Sequence, residues 1–130
     1  MLLPKVFGLG LKSNSIYYYK IKHASRKATI QDVDFLLSSA VTLAFETEGK
    51  QLNTVVVRQG IIDCFNNVKV GCYYVAHSLE NPQKLLGTLM ITYEVSVAIG
   101  GMIHWIQSVF VDKEARRMGV FRSLYNYVID

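Results

Sequence analysis

Residues 103–130 read IHWIQSVFVDKEARRMGVFRSLYNYVID, and the order of features within them decides the fold. Positions 103–111 are β-branched and aromatic, which predicts a strand fitted to a pleated, buried surface. A charged loop follows over 112–118, carrying Lys113, Arg116 and Arg117. From Gly119 onward, Val120, Phe121, Leu124, Tyr125 and Val128 recur at helical spacing, so an amphipathic helix opens there. Glycine at that point lets a ligand approach the backbone, and the first N–H groups of a helix have no partner within it. Those donors, the helix dipole and two arginines together suit a phosphate or pyrophosphate.

The stretch Arg116-Arg117-Met118-Gly119-Val120-Phe121 resembles the acetyl-CoA signature of the GNAT-type N-acetyltransferase superfamily, [Gln/Arg]-x-x-Gly-x-[Gly/Ala]. It is in register except at Phe121, where the family has a small residue. The six-residue pattern alone is common. Its specificity comes from context, a strand ending SVFV before it and a helix GVFRSLYNYV growing out of it.

A chain of 130 residues is one domain, long enough for a core of its own. With 51% hydrophobic and 18% charged residues it is a folded globule rather than a disordered segment. A net charge of +4 suits an anionic ligand and is too mild to argue for nucleic acid. Cys64 and Cys72 lack a C-x-x-C arrangement, so two free thiols and no metal site are expected. Residues 85–103 are nearly uncharged and long enough to suggest a membrane span. Thr88, Thr92, Tyr93 and Glu94 interrupt them, and Gly100-Gly101 is a turn signal, so two strands joined by a hairpin are expected and no membrane contact.

Taken in order, residues 1–31 hold no acid but six basic residues: Lys5, Lys12, Lys20, Lys22, Arg26 and Lys27. Over 1–23 this reads either as an organelle transit peptide, implying a mitochondrial or similar location, or as a short basic extension on a cytoplasmic protein. The domain proper is expected over 24–130. Arg26-Lys27 ends a first strand, and Thr29 caps a helix running to about Glu46 on Val33, Leu36, Leu37, Ala40 and Leu43. Residues 52–65 are ambiguous: Val55-Val56-Val57 favours strand, while Val57, Gly60, Ile61, Cys64 and Phe65 keep helical spacing. The resemblance favours helix. Strands are expected over 70–77 and 85–94, with Gly87 marking a bulge or a close backbone approach. The order is β-α-α-β-β-β-α, a GNAT-like α/β (α+β) domain with a mostly antiparallel sheet flanked by helices. By element count it lacks the family's usual last strands and helix, so the chain resembles a C-terminally truncated domain whose final strand has an unpaired edge. Such an edge favours association, a homodimer included.

The resemblance also implies a chemistry. Val109, Phe110 and Val111 would hold the pantetheine arm and face the thioester through their backbone. Arg116, Arg117, Met118, Gly119, Val120 and Phe121 would wrap the pyrophosphate of acetyl-CoA. The acetyl group would pass directly to a small-molecule or peptide amine in a ternary complex. Where several family members carry acids, this chain has Gln107-Ser108, neither of which takes a proton at neutral pH. Gln107 could orient substrate or a water. Glu94 is the best single candidate for the base, because a lone carboxylate in an apolar run needs a reason, although a solvent-facing strand acid explains it equally. Tyr93 and His104 are the other candidates, and no general acid is identified. Two alternatives compete with the enzyme: a non-catalytic acyl-CoA-binding module, and a basic nucleic-acid-binding domain resting only on residues 17–27.

Overall fold

A computed structural model describes residues 21–130 in full, with the backbone of Leu11–Lys12 (β1) and Ser15–Ile16 (β2), which pair antiparallel. Most of the basic segment read as an extension or transit peptide lies outside the described residues. The principal sheet runs β3 (His23–Lys27), β4 (Gly71–Ser78), β5 (Leu85–Ser96), β6 (Gly101–Val111), with every neighbouring pair antiparallel. Three helices join it: α1 (Val33–Glu48), α2 (Thr54–Asn66) and α3 (Val120–Ile129).

Local chemistry explains the helix ends. Asp32 reaches back to accept the Thr29 N–H at 2.8 Å, closing the first turn before α1. Gly49, at φ 65°, ends α1 two residues beyond the expected Glu46 by donating to Phe45 at 3.0 Å. The ambiguous segment is helical because Asn53 caps it: its Oδ1 accepts from Val55 N at 3.0 Å and Val56 N at 3.3 Å. That cap, with Ile61 and Cys64 buried beneath the helix, outweighs the strand preference of the valine triplet, whose Val55 and Val56 stay exposed.

Each face of the sheet carries its own core. On one, α3 lays Val120 and Leu124 over Ala76, Leu86, Leu89 and Ile91, with Ala115 closing the edge. On the other, α1 and α2 bring Val33, Leu36 and Ile61 against Ala28 and Val75. Each fully buried leucine or valine is worth about 1.5–3 kcal/mol over exposure. The apolar run at 85–103 is β5, a Gly100-centred turn (φ 69°) and the start of β6. Among the described residues no helix is long and apolar enough to cross a membrane.

The expectation of a buried final strand needs correction. β6 is the sheet's outer strand, and Met102, Trp105 and Ile106 are exposed on it. Apart from half-buried Ile103, the strand is shielded from Val109 onward, where it tucks against the rest of the fold. The reason is geometric. The α3-side core centres on Leu86, Leu89 and Ile91, so the far half of the β5–β6 hairpin projects past it.

Candidate acyl-donor site

The site begins with an irregularity in the β5–β6 ladder. Leu89 pairs with Val109, but Ile91 pairs with Ile106. Two steps on β5 therefore face three on β6, and Gln107-Ser108 form a bulge opposite Met90. A bulge re-aims the strand and sharpens its twist. It lies immediately before Val109, Phe110 and Val111, the residues expected to face a thioester.

Beyond Val111 the chain is held at each step. Asp112 N donates to Leu86 O at 2.7 Å, and a short 3-10 turn over Lys113–Ala115 follows. Arg116 then folds back: its Nε donates to Val111 O at 2.9 Å, its NH2 group to Glu46 Oε1 of α1 at 3.3 Å, and its guanidinium sits 6.0 Å from the centre of the Phe110 ring. Arg116 is thus a strap on the loop as well as a positive charge beside it. Arg117 adopts φ 67° and Gly119 φ 80°, so two left-handed residues bracket Met118. A non-glycine residue there is uncommon and strained, and such strain gathers at ligand sites. Met118 O accepts from His23 Nε2 at 2.9 Å, and Ser25 Oγ and Ser123 Oγ bond at 2.9 Å, fixing loop and helix to β3.

The α3 N-terminus carries no side-chain cap, so its first N–H groups are available. Val120 is buried and could offer only its backbone, while Phe121 is exposed with its ring 6.1 Å from Tyr125. Phe121 is accommodated in place of a small residue because it lies along the helix beside Tyr125. Gly87 marks both a bulge and a contact. A Cβ there would stand 2.9 Å from Phe110 O and 3.0 Å from Val120 Cγ1, so glycine brings β5, β6 and α3 together beneath the loop. The structure therefore gathers residues 109–111 and 116–121 into one region with an open helix N-terminus, where free N–H groups and the helix dipole suit an anion.

Of the other expected residues, Gln107 lies on the adjoining bulge, while the candidate bases Glu94, Tyr93 and His104 lie further along the hairpin. Gln107, on the bulge, donates its Nε2 to Thr92 Oγ1 at 2.8 Å. Glu94 is exposed and accepts the Trp105 indole N–H on Oε1 at 2.7 Å. It lies five residues along β5 from Leu89, the partner of Val109, which at strand rise is roughly 17 Å. Tyr93 meets the His104 ring edge-on at 4.9 Å, and burial first, then Cys72 and Cys64, pushes its phenol up, away from a base's range. Glu46, His23, Ser25, Thr92 and Trp105 were not singled out by the sequence. Their roles arise from contacts across the fold, and no local pattern signals them. Among the described residues there is no group of three potential metal ligands, and both cysteines are free.

No family model and no curated protein matches the chain. Solved structures do. A possible acetyltransferase from Clostridium difficile 630 is 37% identical with a TM-score of 0.74, over 82% of this chain and 68% of its own. A probable acetyltransferase is 20% identical with a TM-score of 0.69, over 81% and 68%. A predicted acetyltransferase from Clostridium acetobutylicum, solved with acetyl-CoA, is 15% identical with a TM-score of 0.65, over 83% and 71%. The chain thus spans about two thirds of the length of these relatives. The two more distant likenesses establish the fold, and the 37% relative goes further. With the signature, its strand–loop–helix setting and that relative in agreement, the chain belongs to the GNAT-type N-acetyltransferase superfamily.

Proposed function

We infer that this chain binds acetyl-CoA at the loop between β6 and α3 and passes the acetyl group to an amine within a ternary complex. One observation carries the reading. The left-handed pair Arg117 and Gly119 leads into an uncapped helix beside the bulged end of β6. The Val120, Phe121 and Arg122 N–H groups would take the pyrophosphate, with Arg117 supplying charge. The backbone at Val109–Val111 would hold the pantetheine arm and face the thioester oxygen, where charge develops. The amine nitrogen would form the new bond to the acetyl carbon as the carbon–sulfur bond breaks. The amine's proton would leave to a water held at Gln107, and the departing thiolate would take one up. Glu94, at its distance from Val109, is not placed to receive that proton directly.

Titration of acetyl-CoA and desacetyl-CoA by calorimetry, beside an Arg116→Ala/Gly119→Trp variant, tests the reading. Saturable binding by the wild type, weakened more than tenfold in a variant that stays folded, is expected. Equal binding by both would sink it. The distance of Glu94 from Val109, with Glu46 engaged by Arg116, favours a second reading, a module that binds acyl-CoA without turning it over. Release of free CoA thiol in the presence of an amine panel would exclude the module. Tight binding with no thiol release would favour it.

A further inference from the structure

A line of polar and aromatic groups runs from the bulge toward the hairpin tip on one face of β5–β6. Gln107 bonds Thr92 at 2.8 Å, Thr92 faces Trp105 in register, and Trp105 donates to Glu94 at 2.7 Å. Trp105 is 48% exposed, which leaves part of its ring open, and Glu94 is exposed as well. The indole N–H engages only Oε1 of the carboxylate. Among the described residues Glu94 has no ion-pair partner, whereas Asp32, Asp34, Glu46, Glu48 and Glu114 each meet a lysine or arginine. A carboxylate oriented by an indole, with the ring face beside it, is a receptor for an alkylammonium: the charge meets the carboxylate, and the methylenes and residual charge meet the ring.

Position decides what such a receptor is for. Val109, where the thioester would be faced, pairs with Leu89, and Glu94 lies five residues further along β5. Allowing for the reach of the glutamate and of the reacting nitrogen, the two functions are separated by on the order of 10–15 Å. A monoamine cannot occupy both. A linear chain with amino groups at both ends can, and it would lie over Thr92 and Trp105 on its way. Resting on the acetyl-transfer reading, we propose that the acceptor is a linear di- or polyamine whose distal ammonium is held by Glu94 and Trp105. Glu94 and Trp105 are then binding residues that set acceptor length, and Gln107 marks the reacting end.

The chain contains one tryptophan, so its fluorescence reports on this place alone. The full chain is titrated with spermidine, putrescine and butylamine at fixed ionic strength, beside Glu94→Gln, with acetyl-CoA binding measured separately by calorimetry. Spermidine should change the Trp105 emission saturably, butylamine only at concentrations at least about tenfold higher, and Glu94→Gln should weaken the spermidine response about tenfold while leaving acetyl-CoA affinity unchanged. Trp105→Phe, which keeps an aromatic ring but loses the N–H, should show intermediate spermidine binding by calorimetry. Three results overturn the proposal: no emission change with spermidine, an equal response to butylamine, or a response that Glu94→Gln leaves intact. Loss of acetyl-CoA binding with a normal spermidine response would instead fault the donor site. The two failures are therefore distinguishable.

Discussion

Arg117 holds φ 67° two residues before Gly119 at φ 80°, and the two differ in what that conformation costs. For glycine it is free. For arginine the left-handed region costs about 1–2 kcal/mol through contact of Cβ with the backbone. Among the described residues no side-chain bond of Arg117 offsets that cost, and the residue is exposed. Arg117→Gly should therefore raise unfolding free energy by about 0.5–1 kcal/mol, strain relief exceeding the added entropy of the unfolded chain. Urea denaturation with an unchanged m-value measures it. A loss of stability would mean that the arginine makes a compensating contact in solution. Arg116 is the contrasting neighbour, because its guanidinium already joins Val111, Glu46 and Phe110. Two adjacent arginines that look alike in the sequence thus divide the work: one straps the loop, the other stores strain in it.

At the scale of elements, the turn from β3 into α1 depends on Asp32. Arg26 grips its carboxylate with two bonds of 2.8 and 3.0 Å, and Thr29 N adds a third at 2.8 Å. Burial pushes the Asp32 pKa up, but the Arg26 hydrogen bonds, the Thr29 N–H and the charge of Arg26 outweigh it, leaving the carboxyl below its ordinary value. A depressed folded pKa means stability that is fully present above the unfolded value, about 3.9, and lost as pH falls through the folded one. Asp32→Asn should accordingly cost about 1–3 kcal/mol at neutral pH, and its deficit against wild type should shrink below about pH 4. Denaturant titrations from pH 7 to pH 2 measure the difference. A constant deficit across that range would rule out the ionised pair as its source.

The same elements explain what the sequence made legible. Thr29 and Gly119 act through partners within a few residues and were read along the chain, whereas the equally local caps Asn53 and Gly49 went unread and left 52–65 ambiguous and α1 two residues short. Gly87 announced a close approach because an apolar strand rarely carries glycine without one, although its partners Phe110 and Val120 lie far along the chain. The unpaired edge of β6 followed from the element count, but the exposure of Met102, Trp105 and Ile106 was illegible, because its composition matches that of a buried strand. What differs is its place at the end of the sheet, which neighbours decide. Glu94 looked isolated for the same reason: Trp105, eleven residues away, becomes its partner only once the hairpin closes.

Across the whole molecule, burial falls off along the β5–β6 hairpin. The end at Leu86 and Leu89 is fully buried under α3, whereas Val95, Val97, Ile99 and Met102 at the other end are exposed. Local opening follows that gradient, because few buried contacts hold the outer half. Amide exchange should be slowest at Val75, Ala76, Leu86 and Leu89, approaching global unfolding, and fastest from Val95 to Met102. The two proposed ligands should then protect different places. Acetyl-CoA should slow exchange at Val109–Val111 and at the start of α3, leaving Thr92 to Glu94 unchanged. Spermidine should slow exchange between Thr92 and Glu94 and around Trp105, leaving α3 unchanged. With both present the protected regions should meet at Gln107-Ser108, where the bulge would join the proposed donor and acceptor sites. Acetyl-CoA protection confined to the outer hairpin would show that the donor site is misplaced, and spermidine protection spread over the basic surface would show that charge alone attracts it.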